Sequence, residues 1–195
     1  MNTNSYHTVS LEAYHNTKGV TWPELGIVGI LNHGFESLAG HLMPNGQVQS
    51  VGGVPFLFPR TDTAAMDLVS CEEQVIQVEC QQHYDRLFFL GFCCWGEFED
   101  LIELRYSDGV VERKKFGFFD WHRFYKSDSV EPAWVMPYFC YKDEKVEWET
   151  VIYVREVQLD RTRLLHSIQF PDNPYMLIVC ATLNILDKNF NISNI

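Results

Sequence analysis

The run YMLIVCATLNIL (175–186) carries apolar side chains at both odd and even positions. An extended chain sends successive side chains to opposite faces, so a run of this kind is buried on two sides as a central strand. The rest of the chain supplies the neighbours it needs. VIQV (75–78), RLFFLGFCCW (86–95) and LIELRY (101–106) are short, rich in aromatic and β-branched residues, and bounded by charge or turn chemistry. In LIELRY, Ile102, Leu104 and Tyr106 alternate with Glu103 and Arg105, the pattern of a half-buried antiparallel strand. SDG (107–109) then predicts a hairpin, because Gly109 takes positive φ without steric cost, and VVERKKFGFF returns beside it. The same grammar follows in TVIYVREVQL (150–159), a DRTR turn, LLHSIQF (164–170) and a PDNP turn.

Amphipathic helices of ten or more residues are missing, and only a turn of helix in 10–16 or 62–67 is expected. Many short strands with Gly and Pro turns between them predict an all-β fold, a two-sheet antiparallel β-sandwich. With 195 residues, 46% of them hydrophobic, the chain can bury a substantial core as one domain spanning 1–195.

A formal net charge of −11 argues against a partner that is nucleic acid or an anionic membrane surface. The polar start MNTNSYHTVS has no charged segment followed by an apolar one, and no uncharged apolar stretch approaches the roughly 20 residues that span a bilayer, so the cytoplasm is the expected compartment. Six cysteines form no C-x-x-C pair, and four fall in runs that read as buried strands. Packed, reduced thiols are expected, with a Cys71–Cys80 disulfide as the alternative. Seven histidines show no H-x-H or H-x-x-x-H pattern with a third close ligand, so zinc is not indicated. His166 shares the parity of Leu164, Ile168 and Phe170 and reads as a core residue. No G-x-S-x-G elbow, P-loop or dinucleotide fingerprint is present. Glu97, Glu99 and Asp100 read as a solvated acidic loop, although paired carboxylates also serve glycoside hydrolysis.

The order of segments resembles a known family. LEAYHNTKGVT, ESLAGHLMP, VGGVPFLFP, EEQVIQV, RLFFLGFCCWG, IELRYSDGVVERKKFGFFDW and VIYVREVQL with LLHSIQFPDNPYMLIVCATL look like the successive strands of a galactose-binding-domain-like jelly roll. That module recurs as an accessory carbohydrate-binding domain of bacterial glycoside hydrolases and also occurs alone. Its pattern matches at Asn16 and Gly19, Leu42 to Pro44, Gly53 to Pro59, Leu87 to Gly91, Tyr106 to Gly109, Asp120 with Trp121, Ser167 to Pro171 and Ala181 to Leu183. Where many members read FDG-x-G, this chain reads LNHGFESLAG (31–40), matching at Gly34 and Asn32. The resemblance implies a jelly roll with a carbohydrate partner. It also implies a structural calcium as the candidate cofactor, for which Asn16 and Glu156 are the nearest ligands on offer, without an Asp-rich loop.

Residues 116–125, FGFFDWHRFY, concentrate the candidate site. In an extended strand Asp120 and His122 share one face and Trp121 takes the other. A carboxylate beside an imidazole accepts from sugar hydroxyls or works as an acid/base pair near neutral pH. The competing reading has Asp120 capping the turn and Trp121 filling the core, and it is favoured because buried aromatics usually serve packing. His33, Phe35 and Glu36 lie in a loop-like segment. With Asp120, His122 and Arg123 they would form a polar pocket, walled by Trp95 or Trp134. The expected function is non-catalytic recognition of a mono- or oligosaccharide by loops at one end of the sandwich. The alternatives are a small sugar-metabolising enzyme using Asp120 and His122, and a scaffold that forms a homo-oligomer through a sheet face without ligand.

Overall fold

The computed structural model describes residues 5–31, 34–78 and 82–186. Its largest sheet runs β1 (Tyr6–Val9), β16 (Asp172–Ile185), β8 (Tyr84–Cys93), β14 (Thr150–Gln158), β11 (Val130–Met136), with β6 (Val69–Glu72) also paired to β16. A second sheet runs β10 (Val111–Phe118), β9 (Phe98–Tyr106), β15 (Leu165–Gln169), β7 (Val75–Gln77). Pairing within both is antiparallel, as expected for a β-sandwich. β16 is central, with β8 on one side and β1 and β6 on the other, and residues 176–183 are buried throughout.

Two sheets do not complete the architecture. β8 is apolar on both parities, so each of its faces needs a cover. Phe89 turns toward the second sheet, where its ring lies 5.0 Å from Phe116 and 5.7 Å from Phe170. Three residues on, Phe92 faces the other way and stacks at 5.5 Å on Trp121, which meets Phe139 at 5.7 Å. Phe139 belongs to a small third sheet, β13 (Glu144–Val146), β12 (Phe139–Tyr141), β3 (Glu36–Ala39), β2 (Val20–Thr21). The β2–β3 pair is parallel. A hairpin of β4 (Val48–Val51) and β5 (Val54–Leu57) shares this outer side, where Thr182 Oγ1 on β16 donates to Pro55 O at 2.7 Å.

Local chemistry fixes the pieces. Gly109, at φ +87°, closes the β9–β10 hairpin as expected. DRTR does not close a hairpin but carries the chain from the large sheet at β14 to the second sheet at β15. PDNP is not a turn, because Asp172 and Asn173 already pair with β6 as the start of β16, back in the large sheet. Within 10–16 a single 3₁₀ turn forms at Glu12–Tyr14, whereas 62–67 has no helix. Glu99 and Asp100 stand exposed on β9 and not in a loop. His166 is exposed, contrary to its parity, because an irregularity between Leu165 and Ser167 in the β15–β9 pairing resets the alternation. The five described cysteines are free and buried, and burial pushes the Cys93 thiol up to about 12. Cys80, the alternative partner of Cys71, lies outside the described residues. Among the described residues no helix is long and apolar enough to cross a membrane.

Candidate functional site

After β10 the chain does not continue as a strand. Asp120 bridges alongside Cys93, Trp121 N–H donates to Cys93 O at 3.0 Å, and residues 121–123 turn. The expectation that Asp120 and His122 share a strand face is therefore corrected. The two carboxylate oxygens of Asp120 accept separate backbone N–H groups, Gly96 at 2.8 Å and His122 at 2.9 Å. Asp120 thus caps the turn and Trp121 fills the core, as the packing reading has it.

The same carboxylate positions two residues that face outward. Trp95 sits at φ +66°, a left-handed conformation that is a real outlier for a bulky side chain and costs of order 1–3 kcal/mol, yet it is 65% exposed. The bond from Gly96 N–H to Asp120 anchors that turn on its C-terminal side. A Cβ on Gly34 would lie 3.3 Å from the Trp95 ring, so a residue without a side chain is what keeps that approach open.

On the other side of Asp120, the half-buried His122 places Nε2 3.2 Å from Glu36 Oε2. An ionised carboxylate only accepts, so in this bond Nε2 carries the hydrogen. Nδ1 is buried with no partner among the described residues.

Segments 31–41 and 120–134 thus meet, through the Glu36–His122 pair. Glu36 lies on β3 opposite Tyr141 of β12, and not in a loop. Phe35 makes an edge contact with Tyr141 at 6.0 Å, with Lys142 Nζ 4.9 Å over its ring. Arg123 is exposed and reaches Glu97 at 3.8 Å and the Tyr125 hydroxyl at 3.4 Å. A pocket of about 330 Å³ opens beside His122, bounded by Arg123, Phe124, Glu147, Trp148 and Glu149. Phe124 and Trp148 are exposed, as are Phe35, Tyr125 and Tyr141.

A family model described as an AziU2-like beta-sandwich domain matches residues 5–186. The chain belongs to that family. No curated protein matches it.

Several residues expected at the site of this AziU2-like domain stand elsewhere. Trp134 is half-buried, donating from Nε1 to Leu42 O at 3.1 Å and meeting the Phe58 ring at 5.6 Å, so it binds the outer layer to β11. His33 lies outside the described residues. Asn16 gives both ends of its amide to the backbone of Ser70, at 2.7 and 3.0 Å. Glu156 faces Arg86 at 3.6 Å and Gln158 at 3.0 Å, so the two residues considered for calcium share no partner. Among the described residues no group of three or more His, Cys, Asp or Glu is arranged to hold a metal ion.

The sequence reading passed over Trp148, Phe124 and Tyr141. Trp148 did leave a signal, since in EWET an aromatic is flanked by two glutamates and fits no strand pattern. A separate cavity of about 680 Å³ lies between Val9, Leu11 and His15 on one side and Leu57, Phe58 and Met66 on the other. Its lining is mixed, with Glu12, Arg60 and Thr63 beside the apolar side chains, and burial lowers the pKa of His15 there.

What the described end offers chemically is plain. It combines flat aromatic faces with the Glu36–His122 pair and with the Arg123, Glu147 and Glu149 side chains that bound the adjoining pocket. Such a set stacks on apolar ring faces and exchanges hydrogen bonds with hydroxyl groups.

Proposed function

We propose that this AziU2-like domain is a non-catalytic carbohydrate-binding module, taking a mono- or oligosaccharide at the end built around Glu36 and His122. The observation that carries the reading is the gathering of exposed Trp95, Phe35, Tyr141, Phe124 and Trp148 around that one polar pair. Aromatic faces suit the C–H side of a pyranose, and the Glu36 carboxylate, held by His122 through one oxygen, supplies an acceptor for its hydroxyls. The resemblance to galactose-binding-like jelly rolls supports the same class of ligand, although fold alone does not fix function.

Turnover through Asp120 and His122 is not supported. Both oxygens of Asp120 are taken by backbone N–H groups, and the imidazole faces Glu36.

The test is calorimetric titration of the protein with a panel of neutral sugars, repeated with Trp95→Ala and Trp148→Ala. One sugar class binds saturably to the native protein, and each substitution weakens it by about tenfold or more, at roughly 1–2 kcal/mol per stacked ring, with the melting point preserved. Absence of binding by every sugar at millimolar concentration overturns the reading. The breadth of the aromatic patch favours a second reading, self-association through the same end. In that case the mass in solution exceeds 22.7 kDa and falls to the single-chain value in the same variants.

A further inference from the structure

Arg155 breaks the rule that buried charges are paired. On β14 it shares the inward parity of Val151, Tyr153, Val157 and Leu159, and its residue exposure is only 8%. A guanidinium has five N–H donors. Here Nη1 donates to Ser129 Oγ and Nη2 to Lys115 O at 2.6 Å, while Nε is buried without a partner. Among the described residues no carboxylate lies within ion-pair distance of it. Burial lowers its pKa, opposed by the field of Glu99, but an arginine stays charged at neutral pH.

This cation lines an opening of about 570 Å³ along the lateral edge of the sandwich, where edge strand β10 of the second sheet faces edge strand β11 of the large one. Phe98, Phe118 and Phe119 form its apolar side, and Ser127, Asp128 and Ser129 cross its rim. The other charges at the opening are engaged. Glu97 pairs with Arg123 at 3.8 Å and Glu99 with Lys115 at 2.7 Å. Asp128 is exposed and makes no ion pair among the described residues. The opening therefore presents one uncompensated cation and, one residue from the Ser129 that Arg155 holds, one uncompensated anion.

A simple anion meets Arg155 but is repelled by the uncompensated Asp128. A simple cation faces a buried guanidinium. A molecule carrying both charges on one carbon answers both. We propose that this edge opening binds an α-amino acid with an apolar or aromatic side chain. Its carboxylate takes the free Arg155 donors, its ammonium group faces Asp128, and its side chain lies on Phe98, Phe118 and Phe119. The guanidinium fork matches a carboxylate geometrically, and removing one charge from the ligand strands its partner.

The probe is L-phenylalanine, titrated into the full chain by calorimetry or ligand-observed NMR beside N-acetyl-L-phenylalanine and L-phenylalaninamide, which each lack one charge. L-phenylalanine binds saturably, and each analogue is weaker by about tenfold or more. Asp128→Asn, on an exposed residue, weakens L-phenylalanine by a similar factor, leaves N-acetyl-L-phenylalanine unchanged and preserves the melting point. Trp95→Ala, which disables the proposed sugar end, leaves the amino acid affinity unchanged, so the two sites fail separately. The inference is overturned if L-phenylalanine, L-leucine and L-tryptophan all fail to bind at millimolar concentration. It is equally overturned if the N-acetyl analogue binds as well as the free amino acid, or if Asp128→Asn has no effect.

Discussion

Asp120 shows how one side chain serves packing and site together. Its two oxygens hold Gly96 and His122 by their backbones, so it fixes where Trp95 and the imidazole point while touching neither functional group. Replacing it by alanine leaves two partly buried N–H groups without acceptors and releases a left-handed tryptophan. We expect Asp120→Ala to cost about 2–3 kcal/mol in urea unfolding, with a shift in tryptophan emission from the freed Trp95 turn. The sequence made the residue types of this site legible but not their roles, because FDWHRF reads equally as strand or turn until the neighbour of Asp120 is known. That neighbour, Gly96, is 24 positions away. The Glu36–His122 contact spans 86 residues and was equally beyond local pattern. Arg155 was legible in principle, as a charge standing on the buried parity of TVIYVREVQL.

At the level of strands, close approach of backbones sets what substitutions survive. A Cβ on Gly117 of β10 would fall 2.1 Å from Phe98 O and 2.8 Å from Glu99 Cα on the paired strand, atoms that no rotamer change can clear. Gly117→Ala is therefore expected to destabilise the protein by about 2–3 kcal/mol or more in denaturant unfolding, by prying β10 from β9 near the proposed amino acid site. Strand positions followed well from alternation and turn chemistry, since β7, β8, β9, β10, β14, β15 and β16 all fall on segments read from sequence. Sheet membership did not, because a turn such as DRTR looks the same whether it closes a hairpin or crosses between layers. Irregular pairing defeats alternation as well, which is why His166 emerges on the solvent side.

Across the molecule, the layers are tied by a few buried polar contacts, of which Asp67 is the most exposing to pH. Fully buried, it accepts from Lys18 Nζ at 2.5 Å and Gly19 N–H at 2.7 Å, joining the segment before β2 to the one before β6. Burial pushes its pKa up from 3.8 to about 6 despite the lysine. In the interval between those values the folded chain keeps a proton that the unfolded chain has released, so this contribution is present at low pH and fades as pH rises through about 6. The stability of the native protein relative to Asp67→Asn should fall by on the order of 2–3 kcal/mol between pH 4 and 6 and level off above 7, as followed by urea unfolding across that range. The third sheet and the β4–β5 hairpin were not foreseen as layers, although the two-sided apolar character of β8 and β16 required some cover on each face. The position of β16 has a consequence for biosynthesis. It is delivered after every strand it separates, and at about 5–20 residues per second the ribosome takes roughly ten seconds or more to reach it from β1. Until then β1 and β6 have no partner in the large sheet, and β8, with its run LFFLGF, offers one bare edge. Unpaired strand edges of this kind invite pairing with other chains, so the last strand to be made is the one that closes the large sheet against aggregation.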